Sequence, residues 1–237
     1  WAGMKRTKEE FKTSFRHRTF GASFESEDYA FIDALDKPVA LWTNVLLEEG
    51  IHRNSLVHRK NVIEQHVMDL PDFNDKGAWA AKYVDRLENI SKQSENLEEV
   101  KKILAKLKSQ DATNQYTIAI YEQVGALVEY NFKALKKIEA FDLAISADEE
   151  IKILFELQEL IQKFGTFRQE FEKVYSQSRI LNKPENYILD QDHHNHPANQ
   201  SVNFDWQFIS EILFLEKVNT HFKTKTVWQE GTNTKLN

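Results

Sequence analysis

The sequence contains no cysteine, and it is poor in glycine and proline, with 7 and 4 residues among 237. The absence of cysteine excludes disulfides, thiolate nucleophiles and zinc sites with cysteine ligands. It is compatible with the cytosol and equally with a bacterial periplasm or cell surface. Turn-rich β-sandwiches and glycine-rich α/β folds need more glycine and proline than this chain has. The composition therefore favours an all-α fold.

Long apolar runs and an excess of basic residues are also missing. No stretch approaches the roughly 20 apolar residues that a membrane-spanning helix needs. The formal net charge is −6, whereas proteins that bind nucleic acid present a basic surface. Phosphate-loop, dinucleotide, G-x-S-x-G and H-E-x-x-H motifs are absent as well. We therefore predict no nucleic-acid partner, no membrane span and no cofactor.

Apolar residues recur at helical spacing along most of the chain. The pattern predicts helices over residues 7–20, 26–35, 39–50, 54–68, 75–91, 95–109, 112–141, 147–181 and 204–222. The segments 112–141 and 147–181 are long enough for two antiparallel spine helices, because only a short stretch separates them. We therefore predict an all-α multi-helix bundle, with a helical domain over residues 22–222 and a flexible tail over residues 223–237.

Residues 182–203 are polar and show no period, so we predict one long loop there. The loop contains His193, His194 and His196 beside two aspartates. Imidazole and carboxylate groups bind zinc and similar ions, which makes these three histidines candidate metal ligands. The spacing matches no standard zinc signature, however, and two adjacent histidines cannot easily bind one ion together. A solvated surface loop is therefore the interpretation that we favour.

Other clusters of titratable residues give weaker signals. A carboxyl group that acts as a general acid needs a desolvating environment. The adjacent glutamate pairs lie mostly near predicted helix ends, where the helix dipole alone favours acidic residues. These pairs are Glu9–Glu10, Glu48–Glu49, Glu98–Glu99 and Glu149–Glu150. The basic residues scattered between His52 and His66 are explained more simply by solvent exposure than by an anion site.

The first predicted helix combines a capping signal with an aromatic face. Thr7 and Glu10 have capping-box spacing, and Phe11 and Phe15 lie one turn apart on one side of the helix. Gly21 is a typical helix end. The first ten residues contain no secretory signal motif and run directly into this helix. We therefore expect residues 1–21 to be an edge segment that follows a missing domain.

Trp1, the stretch 6–15 and the sequence Arg18-Thr19-Phe20-Gly21 resemble the barrel exit of bacterial hexosaminidase-type glycoside hydrolases. In that family the last barrel strand ends in a tryptophan. The chain then enters a helix of this pattern, and a helical C-terminal region follows. The later stretches 69–79 and 171–185 are similar in character to segments of the same enzymes.

The resemblance implies a non-catalytic helical C-terminal domain of a carbohydrate-active enzyme that acts on N-acetylhexosaminides and is secreted or periplasmic. The implied partners are the catalytic barrel of the same polypeptide and, through it, the carbohydrate substrate. Trp1 is the implied substrate-binding residue, and no catalytic residue carries over, because the family's acid/base carboxylates lie on an earlier barrel strand. If the first helix faces a barrel, then Phe11, Phe15 and Phe20 should be exposed in the isolated chain.

The alternative hypothesis is a helical binding module for a protein or glycan partner. The spine helices would form its groove, and the histidine-rich loop would act as an ion-dependent or pH-sensitive lid. Exposure of Trp42, Trp79 or Trp206 along one cleft would favour this hypothesis. A stand-alone metal-dependent helical enzyme is disfavoured, because the predicted spine helices lack a Glu-x-x-His motif.

Overall fold

The computed structural model describes residues 6–21, 30–51, 60–109, 115–178, 208–225 and 227–228. Within these ranges the helices are α1 (Lys8–Phe20), α2 (Ala30–Trp42), α3 (Lys60–Glu64), α4 (Ala78–Lys82), α5 (Val84–Ser109), α6 (Gln115–Leu143), α7 (Ala147–Gln162), α8 (Phe164–Tyr175) and α9 (Ile209–Phe222). The same ranges contain no β-strand, although Leu47 and Val67 form an isolated bridge. The predicted all-α multi-helix bundle is confirmed.

α6 is the central helix, because α2, α4, α5, α7 and α8 all pack against it. Its 29 residues correspond to about 43 Å of helix. Along α6, buried side chains recur at spacings of one, three and four residues. The buried apolar surface of α6 therefore contacts several neighbouring helices. The buried side chains include Leu127, Val128, Phe132, Leu135, Ile138 and Phe141.

The two spine helices form an antiparallel hairpin, as predicted. Near the turn, Lys137 of α6 forms an ion pair with Glu156 of α7. Farther from the turn, Tyr130 packs against Phe164 and Phe167 of α8, with ring centroids 5.3 and 5.9 Å apart. The second spine helix, predicted over residues 147–181, is divided between Gln162 and Phe164. The aromatic side chains of α8 thereby pack on both α6 and Phe208.

Two predicted helix boundaries between residues 30 and 50 are wrong. We predicted a break at residues 36–38, but α2 continues through Pro38. Packing of α2 on α5 and α6, with Phe31 and Leu35 buried, holds the helix together. α2 then ends at Trp42 rather than near Gly50, because Arg86 of α5 donates hydrogen bonds to the carbonyls of Val45 and Leu47.

Two further differences have similar causes. The helix predicted over residues 54–68 ends at Glu64, since the backbone of Met68 donates to the Leu46 carbonyl at 3.0 Å instead. The helices predicted over 75–91 and 95–109 become the short α4 and a continuous α5. No glycine or proline interrupts residues 84–109, so nothing ends α5 between them.

Both ends of the described chain pack on the bundle. Phe20 of α1 meets Phe31 of α2 edge to face, with centroids 6.1 Å apart. At the other end, Trp228 lies in the segment for which the sequence predicts a flexible tail. Its indole packs against Phe222 at 5.2 Å and donates to Asn219 Oδ1 at 3.2 Å.

Candidate functional site

α1 forms as its sequence predicts and is capped at both ends. The Thr7 backbone N–H donates to Glu10 Oε2 at 2.7 Å, and Thr7 Oγ1 accepts from the Glu10 N–H at 3.2 Å. The hydrogen bonds from Thr7 lower the pKa of Glu10. Gly21, with φ of 108°, ends the helix and donates to the His17 carbonyl. Glu10 is therefore used in helix capping.

The phenylalanines of α1 point in different directions. Phe20 is buried against Phe31, which in turn meets Tyr121 of α6 at 5.0 Å. Phe11 and Phe15 are 52% and 45% exposed. The predicted exposure is therefore confirmed for two rings and wrong for Phe20. Phe20 lies five positions after Phe15, which places the two side chains about 140° apart around the helix.

Basic residues surround the two exposed rings. Lys8, Lys12 and Arg18 lie on the same side of α1 as Phe11 and Phe15 and are exposed. Residues 6–20 contain five basic and two acidic side chains, which gives +3, whereas the whole chain carries −6. We call Lys8, Phe11, Lys12, Phe15 and Arg18 the outer face of α1. It is an aromatic and basic surface.

A second exposed apolar patch lies at the turn between α6 and α7. Leu143 and Ile145 are 53% and 95% exposed. The turn is closed by hydrogen bonds, since the Ile145 N–H donates to Glu149 Oε2 at 3.0 Å. Ser146 Oγ also accepts from the Glu149 N–H at 3.2 Å.

Acidic residues outnumber basic ones around this second patch. Asp75, Asp148 and Glu149 are exposed. Lys76 is also exposed there and forms an ion pair with Glu150 at 2.8 Å. The chain near Asp75 is held against the turn, because the N–H of Gly77 donates to the carbonyl of residue 142 at 3.1 Å. We call Asp75, Leu143, Ile145, Asp148 and Glu149 the corner patch. It is an apolar and acidic surface.

A groove of about 530 Å³ separates α5, α6 and α7. Leu97, Phe132 and Leu160 contribute its apolar lining, and Ser94 lines it together with lysines and glutamates. Trp79 is buried, and the Trp42 indole donates a hydrogen bond to Glu211, so neither lines this groove. Trp206 lies outside the described residues. The tryptophan-lined cleft expected for the binding module is thus not formed by Trp42 or Trp79.

Glu211 is a buried carboxylate that sequence reasoning missed. It is 1% exposed, and its Oε1 accepts hydrogen bonds from Trp42 Nε1 at 2.8 Å and Asn131 Nδ2 at 2.9 Å. It therefore joins α2, α6 and α9, and we call this contact the polar junction. Burial, together with the nearby Glu211, raises the pKa of Tyr130. The available signal was a single charged residue inside the mostly apolar stretch 208–215.

The candidate site residues predicted from the sequence lie outside the described residues. These are Trp1, His193, His194 and His196, so their assignment stays a prediction. Elsewhere, in the part of the chain that the structure describes, no group of three or more histidines and carboxylates is placed to hold a metal ion.

The other clusters singled out in the sequence have structural roles where they are described. His66 lies 3.2 Å from Glu48, and Glu49 forms a 2.8 Å ion pair with Arg86. Ser146 caps the start of α7, where the Glu149 carboxylate accepts from the Ile145 N–H at 3.0 Å, and Glu150 pairs with Lys76 at 2.8 Å. These carboxylates are therefore used in capping and ion pairs.

No helix within the described ranges combines the length and apolar character required to cross a bilayer. Comparisons with protein-family models, curated proteins and solved structures gave no match. The outer face of α1 is therefore the candidate functional site on its geometry alone.

Proposed function

We propose that this chain is a non-catalytic helical docking domain of a carbohydrate-active enzyme. In this proposal the outer face of α1 packs against the catalytic barrel of a secreted or periplasmic glycoside hydrolase that acts on N-acetylhexosaminides. The observation that carries the proposal is the exposure of Phe11 and Phe15 on a helix that is capped at Thr7 and fastened to the bundle through Phe20.

The size of the outer face favours a partner on the same polypeptide. Covering two half-exposed phenylalanine rings contributes about 2–3 kcal/mol. Micromolar association between separate molecules needs about 8 kcal/mol. A covalent link raises the effective concentration of the partner to about the millimolar range, at which a small interface suffices. The resemblance of residues 1–21 to a barrel exit names that partner as a catalytic barrel.

The test begins with the protein as its native host produces it. We expect its intact mass to exceed the mass of this chain by that of a catalytic domain before Trp1. We also expect the native protein to hydrolyse a 4-nitrophenyl N-acetylhexosaminide. A native product that begins at Trp1, or one without this activity, would contradict the proposal.

A double variant then tests the role of α1. In differential scanning calorimetry of the native product, we expect the helical and catalytic domains to unfold in one coupled transition. The double variant Phe11→Ser with Phe15→Ser should unfold in two separate transitions. Phe155→Ser is the matched control, because Phe155 is 51% exposed but lies on α7. Unchanged calorimetric coupling in the double variant would show that α1 is not the docking surface.

A further inference from the structure

The outer face of α1 and the corner patch are complementary. Each presents two exposed apolar side chains, Phe11 and Phe15 on one and Leu143 and Ile145 on the other. Residues 6–20 around the first pair carry a net charge of +3, although Lys12 pairs with Glu9. Around the second pair, Asp75, Asp148 and Glu149 outnumber Lys76. Opposite charges around two apolar centres favour contact between these surfaces and suppress contact of either surface with itself.

The attachment of α1 and the corner patch lie at opposite ends of α6. α1 is fastened to the bundle near Tyr121, through Phe20 and Phe31. The corner patch begins at Leu143, which lies 22 residues farther along α6, or about 33 Å along its axis. Both surfaces are exposed in the structure, so they do not cover each other within one molecule.

We propose that the outer face of α1 in one molecule binds the corner patch of a second copy of this chain. The inference rests on the proposed function in one respect, namely that the outer face of α1 is a docking surface. It adds that a docked catalytic barrel and a second copy compete for Phe11 and Phe15. Isolated chains therefore associate head to tail.

The form of association follows from the geometry. A contact between two different surfaces leaves one of each unused in every dimer, so assembly continues into chains or closed rings. The interface is small, and we expect a dissociation constant of about 0.1–1 mM. Because exposed charges surround both apolar pairs, association should weaken several-fold between about 20 mM and 500 mM salt.

Sedimentation equilibrium of the complete chain tests the inference. We expect the weight-average mass to rise with concentration up to about 1 mM and to fall when salt is added. Phe11→Ser with Phe15→Ser should remain monomeric, and so should Leu143→Ser with Ile145→Ser. Phe155→Ser should associate like the wild type, because Phe155 belongs to neither surface. Circular dichroism spectra establish that each variant is folded.

Mixing the two monomeric variants gives the decisive result. Each retains one intact surface, so the mixture should form a 1:1 dimer and nothing larger. A mixture that stays monomeric would overturn the head-to-tail contact. Association that depends on α1 but not on Leu143 and Ile145 would also overturn it, in favour of a symmetric contact between two α1 helices.

The failure of this inference is separate from the failure of the proposed function. A wild-type chain that remains monomeric at 1 mM in low salt would remove the second copy as a partner. The calorimetric coupling between α1 and a catalytic domain is measured on the native product and would be unaffected by that result. Conversely, self-association could be observed in a native product that contains no barrel.

Discussion

α1 and the polar junction depart in opposite ways from the usual pattern of apolar side chains inside a protein and polar side chains on its surface. At the polar junction, the carboxylate of Glu211 is buried and accepts hydrogen bonds from Trp42 and Asn131. On α1, Phe11 and Phe15 stand in solvent although the helix is part of the folded structure. Buried polar groups and exposed apolar patches are the informative departures from an apolar interior and a polar surface.

The difference between the two regions separates internal stability from external contact. Hydrogen bonds at the polar junction require α2, α6 and α9 to meet at Glu211, so we expect Glu211 to help specify how these helices pack. Phe11 and Phe15 contribute little within this chain and gain contacts only when another surface covers them. Substitutions should therefore destabilise the chain strongly at the junction and weakly at the outer face of α1.

The largest effect is expected for Glu211→Ala. The change removes the acceptor of two buried donors, Trp42 Nε1 and Asn131 Nδ2, and leaves a small cavity. The free energy of unfolding should fall by about 3–5 kcal/mol in urea titrations. Glu211→Gln is the control, because it keeps one side-chain oxygen as acceptor and should lose less than half as much. A loss below about 1 kcal/mol for the alanine variant would mean that the junction does not specify the bundle.

Phe20→Ala should have the next largest effect, confined to α1. The change removes the ring that packs on Phe31, at a cost of about 3 kcal/mol. Hydrogen exchange should become faster in α1 while the amides of α6 keep their protection. Phe15→Ala serves as the comparison within the same helix and should change stability by no more than about 0.5 kcal/mol, since its ring is 45% exposed. Equal effects of the two changes would refute the separation of inner and outer faces.

A smaller loss is expected for Asp142→Ala at the base of the corner patch. Asp142 is fully buried, and its Oδ2 accepts from the Ala80 N–H at 2.9 Å, which caps the start of α4. Removing this acceptor should cost about 1–2 kcal/mol in urea titrations. Asp142→Asn retains an acceptor oxygen and should be closer to the wild type. No change in the protection of α4 from hydrogen exchange would argue against this cap.

The smallest effect is expected for His221, and it depends on pH. Burial lowers the pKa of His221 below its usual value of 6.5, a hydrogen bond to the Pro71 carbonyl opposes this shift, and Lys217 adds to it. The folded state therefore favours neutral imidazole. The stability contributed by His221 is complete above about pH 6.5 and declines as the pH falls through that value.

Thermal unfolding between pH 7 and pH 5 measures this dependence. His221→Gln should lose less stability over this interval than the wild type does. Asp69, whose pKa is lowered by its hydrogen bond to Lys82, should affect stability over a more acidic pH range than His221 does. Its contribution persists above its ordinary pKa of about 4 and declines as the pH falls further. Identical pH profiles of the wild type and His221→Gln would exclude the histidine as the cause.

The sequence predicted the helices better than their ends. α1 was predicted within one residue, because Thr7, Glu10 and Gly21 act on the backbone next to them. The end of α2 was missed, because it depends on Arg86, whose hydrogen bonds reach carbonyls about 40 residues away in the sequence. A partner so distant leaves no local pattern to recognise.

The candidate surfaces were only half predictable. The exposure of Phe11 and Phe15 was expected from the resemblance to a barrel exit, whereas the corner patch and the polar junction were not predicted. Residues 142–148 carried no signal beyond that of a hairpin turn. Glu211 interrupts an apolar run, but one glutamate in such a run does not name the donors that will meet it.

The sequence by itself determined that the described chain is helical, where α6 lies, and how α1 is capped. These properties depend on periodicity and on contacts between residues three or four positions apart, which the order of residues fixes directly. Only the tertiary structure decided that Phe20 turns inward, that Glu211 joins three helices, and that Leu143 and Ile145 stay exposed at the turn after α6. Those properties depend on which helices meet, because burial and hydrogen bonding are set by neighbours that are remote in sequence.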